Sequence, residues 1–437
     1  MANLKAYKKW FALGIGVKRW LLLLMLGATL MSVSLSLSIL RVLQLQGRLP
    51  EPPDIDWPLI AALFIAGLLL LLGSIIRLMT VIVTPYRRLY QGPIVDVVYA
   101  HSIRHKGLKV VAIGGGTGLP AVLRGLKALT SNITAIVTVA DDGGSSGRLR
   151  RDLHVLPPGD LRNNIAALAD DESLMTRLFQ HRFSEGDLGG HAFGNLFISA
   201  LAGVTGSLET ALIETARVLN IQGRVLPATL EDVTLCADVE LPGTGRITRV
   251  RGESKITASG GRIRRVELDP ADVPGYSESI QAILDADIVV LGPGSLYTSI
   301  LPNLMVKGIA EALRATSAYK IYVCNVATQP GETTGYTVAD HVIALEEHIG
   351  RGVFQAVLAN NKFPKLDEVS SNTRFVEAAP EGHAILQRYN VIYTDLVDEA
   401  RPWRHDPNKL VAAIMAVNEG EKHRTPAENS AMADASP

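Results

Sequence analysis

Residues 109–118 read KVVAIGGGTG, and residues 138–147 read TVADDGGSSG. Each is an apolar, β-branched run that closes in glycine, and the first passes into LPAVLRGLKAL (119–129), with apolar residues at helical spacing. Glycine lets the backbone take positive φ and approach a ligand closely. A helix N-terminus behind such a turn offers unpaired N–H groups and a positive dipole end, which suits phosphate. Two such turns so close together imply a site assembled from several backbone loops around an anion.

Outward from these loops the same grammar recurs. VLGPGSLYTSILPN (290–303) is a third strand–loop–helix turn, followed by YKIYVCNVAT (319–328) as a strand, YTVADHVIALEEHI (336–349) as a helix and FQAVLANN (354–361) as a strand. VIYTDLV (391–397) is a last short strand and PNKLVAAIMAVNEG (407–420) a last helix. Residues 163–181 and 191–219 read as two helices. Buried, non-alternating strands with intervening helices predict a doubly wound, mostly parallel α/β sheet of Rossmann type. Residues 224–270 break the pattern: they alternate with period two between Gly and Pro, which predicts a mostly antiparallel β-rich insertion. Its arginines (Arg246, Arg249, Arg251, Arg262, Arg264, Arg265) read as solvated strand faces.

The 437 residues carry 43 basic and 43 acidic side chains, so no basic footprint for nucleic acid stands out. The apolar residues are unevenly spread. LLLLMLGATLMSVSLSLSIL (21–40) and WPLIAALFIAGLLLLLGSII (57–76) hold no charge, and each is long enough to cross a hydrocarbon core of ~30 Å as a helix. A signal peptide competes for the first run, since Lys5, Lys8, Lys9, Lys18 and Arg19 precede it. The run is longer than an ordinary h-region, lacks a small-residue cleavage site and is followed by a second span. The basic flanks, with Arg87, Arg88, Arg104 and Lys106 on the far side, predict a two-pass cell-membrane protein with both termini and the main domain cytoplasmic. Cys236 and Cys324 fit a reducing compartment without disulfides. The expected organisation is a two-helix transmembrane anchor (1–83), a juxtamembrane linker (84–107), a nucleotide-binding domain (108–420) and a disordered tail (421–437).

The candidate site follows from the loops. Gly114, Gly115, Gly116, Thr117 and Gly118 form the first turn, but the spacing is not that of a dinucleotide fingerprint and no Gly-Lys-Ser/Thr of a Walker loop follows. Asp141 and Asp142 end the second strand, where a Rossmann fold holds a ribose; paired carboxylates there also suit a magnesium ion bridging phosphates. N-capping is the alternative role for Asp142, and turn formation for Ser145 and Ser146. LPPGDLRNN (156–164) puts Asp160, Arg162, Asn163 and Asn164 at a helix mouth, with Asp160 as ligand contact or N-cap. GGHAFGNL (189–196) puts His191 and Asn195 one turn apart. Gly292, Gly294, Ser295 and Thr298 present donors in the third loop. In an open parallel sheet such turns share the carboxyl edge.

Together, IGGGTG, VADDGGSSGRLR, PPGDLRNN, HAFGNL and LGPGSLYTSILPNL resemble the YvcK family, the gluconeogenesis factors, which are related to the phospholactate transferase CofD. The resemblance runs from about Leu108 to Gly420 and leaves the two apolar spans outside, as in a membrane-anchored variant. It implies a CofD-like fold, a UDP-sugar such as UDP-N-acetylglucosamine or another nucleoside diphosphate as ligand, and a role in cell shape and envelope-precursor supply during gluconeogenic growth. The motif glycines and Thr117 then lie by the nucleotide, Asp141 and Asp142 by its ribose or diphosphate, and Ser145, Ser146, Asn163, His191, Asn195, Gly294 and Ser295 along the remainder. The partners this implies are the ligand, the membrane, an envelope-synthesis protein and a further copy of the chain. A deazaflavin pocket is not evident, so two readings stay open. One is a sugar-nucleotide-binding regulator, since no activated nucleophile is legible. The other is a CofD-like transferase with magnesium on Asp141 or Asp142. An NAD-dependent oxidoreductase suffers from the broken fingerprint, and a transporter from spans without intramembrane charge.

Overall fold

The computed structural model describes residues 17–46, 56–87, 107–169, 174–243, 245–364 and 374–422. The chain divides into two compact units, Met1–Ala100 and His101–Pro437.

In the first unit, helices α1 (Val17–Leu45) and α2 (Trp57–Arg87) pack against each other. Residues Arg19–Leu45 and Trp57–Thr80 are long and apolar enough to cross a membrane. Their outer faces expose Leu22, Met25, Leu69 and Ile76. The contact face is small and polar: a Cβ on Gly67 would lie 2.9 Å from the Gly27 carbonyl oxygen, and Ser34 Oγ donates to the Ile60 carbonyl at 2.8 Å. Close approach over small residues is how helices associate where lipid removes the hydrophobic drive. Most of the predicted linker (84–107), most of the tail (421–437) and most of the basic N-terminal flank lie outside the described residues.

The second unit is built on strands β1 (Val110–Gly114), β2 (Ile133–Val137), β3 (Arg224–Pro227), β4 (Thr234–Glu240), β5 (Ile247–Arg251), β6 (Arg262–Asp269), β7 (Ile288–Leu291), β8 (Tyr319–Val323), β9 (Ala356–Asn360), β10 (Asn390–Thr394), β11 (Val397–Asp398) and β12 (Arg401–His405). Seven form one parallel sheet in the order β10-β9-β8-β7-β1-β2-β3. Strands β1, β2, β7 and β9 are buried at every position, as a sheet covered on both faces requires. Each fully buried Ile or Leu there stabilises the sheet by roughly 1.5–3 kcal/mol. The chain runs outward from β1 through β2 to β3, then returns to β7 beside β1 and runs outward the other way. The crevice between β1 and β7 is therefore the topological switch point, where open α/β sheets bind ligands.

The helices that position the site are α3 (Leu119–Leu126), α4 (Gly144–Leu153), α5 (Gly159–Leu168), α6 (Leu174–Gln180), α7 (Phe193–Thr205), α8 (Leu208–Leu219) and α9 (Glu253–Ala258). Two expected helices are thus four. The segment 163–181 holds the end of α5 and all of α6. The segment 191–219 breaks because Gly206 takes φ +71 at the end of α7 and Ser207 Oγ accepts the Thr210 N–H to start α8. The insertion is also narrower than 224–270. Strand β3 belongs to the main sheet, paired parallel with β2, and the antiparallel sheet is β5-β4-β6. As expected of solvated faces, Arg249 pairs with Glu267 at 2.8 Å, and Arg251 and Arg264 pair with Asp269 and Glu240.

Candidate functional site

The first and third glycine loops meet at the switch point. A Cβ on Gly118 would lie 2.5 Å from the Pro293 carbonyl oxygen, so only glycine lets the two turns come this close. Asn303 Nδ2 ties them further, donating to the carbonyls of Gly114 (2.9 Å) and Ser299 (2.7 Å). Gly116 takes φ +61 and its N–H donates to Asp160 Oδ2 at 2.7 Å. Beside it, a Cβ on Gly115 would lie 2.5 Å from the same oxygen. Asp160 is therefore no N-cap; it stands in the first turn of α5 and reaches back to the first loop.

Burial pushes the Asp160 carboxyl up to about 6, aided by Asp141 and opposed by the Gly116 N–H. Asp141 is raised too, first by burial, although it accepts the Gly143 N–H at 2.8 Å. Glu253, from α9 of the insertion, is pushed up to about 9 by burial and by the charges of Asp141, Asp160, Glu332 and Asp142. Asp142 Oδ1 accepts the Ser254 N–H at 2.9 Å. It thus caps α9 and not its own helix, whose cap is Gly143. Asp141, Asp160 and Glu253 form a group of carboxyls that act on one another through their charges, and Asp142, its Oδ1 committed to the Ser254 N–H, acts on Asp141 and Glu253 as well. Among the described residues no three His, Cys, Asp or Glu side chains form a metal cage. A magnesium ion on Asp141 and Asp160 would complete its shell from phosphate oxygens and water, as this ion commonly does.

Ser145 and Ser146 are buried in the first turn of α4. Ser146 supports Asp141 by a hydrogen bond. Ser145 Oγ lies 3.1 Å from His191 Nδ1 and accepts from Asn195 Nδ2 at 3.0 Å. The Asn195 Oδ1 is buried without a protein partner. Arg148 Nε donates to His191 Nε2 at 3.0 Å, and burial together with Arg148 lowers the imidazole pKa. Two predicted residues are engaged by neighbouring side chains. Thr298 is buried and its hydroxyl donates to Glu332 Oε1 at 3.1 Å, and Asn163 Oδ1 accepts from Arg162 Nη2 at 2.6 Å.

The third loop is braced by residues that the sequence did not single out. Asn325 exchanges hydrogen bonds with Gly294, donating at 2.9 Å and accepting at 3.2 Å, and Gln329 Nε2 donates to Ser295 Oγ at 2.7 Å. A cavity of about 130 Å³ opens here, where Thr117 and Ser295 face Arg124, Trp403 and Arg404. The guanidinium groups bring positive charge to the loop edge, and Trp403 brings an aromatic face. RPWRH (401–405) is a cationic, aromatic run that could have marked this wall. His405 anchors it: burial drives its pKa down to about 4, and its Nε2 meets the Cys324 carbonyl at 3.2 Å.

A doubly wound parallel sheet whose glycine turns meet at the switch point defines a Rossmann-type α/β protein built to bind a ligand there. The family model for the 2-phospho-L-lactate transferase CofD matches residues 110–397. The gluconeogenesis factor of Bacillus subtilis is 51% identical over 314 residues, spanning 70% of this chain and 97% of its own length. A relative of the same group from Nostoc sp. is 44% identical over 436 residues, 95% of this chain and 93% of its own. Among solved structures, a UPF0052-family protein from Bacillus halodurans aligns with a TM-score of 0.65 at 44% identity, covering 70% of this chain and 98% of its own. The chain belongs to the gluconeogenesis factor family, relatives of the CofD transferases.

Proposed function

We propose that this protein is a membrane-anchored regulator that binds a UDP-sugar, UDP-N-acetylglucosamine in the first instance, and links its supply to cell shape and envelope synthesis during gluconeogenic growth. The observation that carries this reading is the meeting of Gly118 with Pro293 at the switch point, which lines two donor-rich turns against one ligand. The diphosphate lies along Gly115–Gly118 and Gly294–Ser295, bound by backbone N–H groups other than those of Gly116 and Gly294, which already serve Asp160 and Asn325. Arg124 and Arg404 add charge, and Trp403 offers a stacking face for the base. Ser145, held by His191 and Asn195, donates its hydroxyl to the ligand. The two apolar helices anchor the protein with both termini and the sugar-nucleotide domain on the cytoplasmic side. An envelope-synthesis protein or a second copy of the chain reads the ligand-bound form.

A transferase of the CofD type is the second reading, favoured by the grouping of Asp141, Asp160 and Glu253 beside the loops. Magnesium held there would stabilise a leaving phosphate as a Lewis acid. Incubation of the full chain in detergent with UDP-N-acetylglucosamine and magnesium, followed by chromatography, separates the two. The regulator returns the sugar nucleotide intact after binding it; cleavage into a nucleoside phosphate and a sugar or sugar phosphate, with water as the acceptor and at a rate abolished by Asp160→Asn, favours the transferase reading.

A further inference from the structure

A second cavity, of about 710 Å³, lies between α4 and the antiparallel insertion, on a part of the molecule that the nucleotide reading does not use. Its charged lining is Arg150, Arg151, Arg251 and Lys255 against Asp142 and Asp232. Four of these are engaged. Arg150 clamps the insertion, bonding Asp232 at 2.6 Å and the Val233 carbonyl at 2.6 Å. Arg251 pairs with Asp269, and Asp142 holds the Ser254 N–H. Arg151 and Lys255 have neither an ion pair nor a hydrogen bond from their side chains among the described residues, so two unpaired cations face the cavity against the single unpaired carboxylate of Asp142, a net positive lining.

The cavity is separate from the glycine-loop site. On α4, Gly147, Arg150, Arg151 and His154 line it, at the spacing of one helix face. Ser145 and Arg148, which hold His191, project from the opposite face. The volume lies in the range of small-molecule sites. A planar guanidinium fork beside an ammonium group matches the oxygens of a phosphoryl group.

We propose that this cavity is a second binding site, for a small phosphorylated molecule. Its ligand bridges Arg151 on α4 and Lys255 on α9. Asp142 lines the same cavity, caps α9 and adjoins Asp141, so occupancy bears directly on the loop that carries the Asp141 carboxylate. The protein then has two anion inputs, one at the switch point and one at the insertion.

The test is calorimetric titration of the full chain in detergent with pyrophosphate, a probe small enough for both places. Two classes of site are expected. Arg151→Ala with Lys255→Ala weakens one class at least about tenfold and leaves UDP-N-acetylglucosamine binding unchanged, whereas Gly118→Ala removes the other class. Both cationic side chains are exposed, and single Arg151→Gln and Lys255→Gln variants, each weakening the same class, guard against a folding defect in the double variant. A double variant that binds pyrophosphate as the wild type does overturns the second site. So does one that loses the sugar nucleotide in parallel, since the cavity is then an arm of the first site. If the wild type ignores the sugar nucleotide yet the double variant still loses a pyrophosphate class, the regulatory reading fails and the second site stands.

Discussion

Arg148 donates its Nε–H to His191 Nε2 across 3.0 Å, and this fixes which proton the imidazole carries. A nitrogen that accepts has no hydrogen, so the neutral ring is protonated at Nδ1 and donates to Ser145 Oγ at 3.1 Å. That oxygen also accepts from Asn195. Its own hydrogen remains for an acceptor in the site, and His191 serves as a positioning residue, not as a base for Ser145.

His191→Asn is therefore expected to bind ligand nearly as the wild type does, because an amide Nδ2 can replace the Nδ1 donor. His191→Leu should weaken binding by about tenfold, the equivalent of one hydrogen bond. Ring ¹⁵N shifts should show the Nδ1–H tautomer, with protonation below the usual His value of about 6.5. An Nε2–H tautomer contradicts the assignment.

The two aspartates after β2 should separate by phenotype. Asp142→Ala removes the acceptor of the Ser254 N–H and is expected to cost about 0.5–2 kcal/mol of stability, the range for a helix cap, with magnesium-dependent ligand binding largely kept. Asp160→Asn retains an acceptor for Gly116 but removes a buried charge. It should raise the melting temperature at pH 8 and abolish the magnesium dependence of binding.

The raised carboxyl groups set a pH signature. A carboxyl whose folded pKa lies above its unfolded value binds its proton more tightly when folded. Its contribution is complete below about pH 3.9 and is lost as pH rises through the folded value, about 6 for Asp160 and about 9 for Glu253. At pH 8 Asp160 is ionised and Glu253 still protonated. A cation bound there favours the ionised forms, so magnesium with ligand should release a proton at pH 8 from the wild type and none from Glu253→Gln. Calorimetry in buffers of differing ionisation heat reads this directly.

Gly118→Ala places a Cβ against the Pro293 carbonyl, at 2.5 Å unless a loop moves. Backbone cannot swing aside as a side chain can. The expected result is a loss of about 1–3 kcal/mol of stability with binding lowered at least tenfold. Retained affinity would show that the two loops need not meet.

The two apolar helices make a separate prediction. Gly27→Leu meets the Gly67 backbone and should force α1 and α2 apart. The full chain should still partition with liposomes, but a crosslink between cysteines introduced at facing positions of the two helices should form much more slowly.

Some of this was legible in the sequence, for a physical reason. Turns such as 114–118 and 292–294 need glycine because the backbones come within contact distance, so composition reports geometry there. The parallel sheet was legible because strands covered on both faces must be apolar throughout. What the sequence hid were contacts made by ordinary residues across long separations. Asp142 meets Ser254 from 112 positions away, so adjacency showed its nearness to Asp141 but not its tie to α9. Asn325 and Gln329 carry no local pattern, and the segment after β8 brings them to the third loop; RPWRH had a pattern, but nothing in it says that β12 lies beside that loop. The break between α7 and α8 was available in Gly206 and Ser207, but the apolar periodicity on either side masked it.

The measurement that tests the central claim most directly is calorimetric titration of the full chain in detergent with UDP-N-acetylglucosamine, with and without magnesium, and with GDP and NAD for comparison. A saturable heat for the UDP-sugar, stronger than for either comparison ligand and lost in Gly118→Ala, is the predicted result. Clear binding of GDP or NAD with none of the UDP-sugar would contradict it.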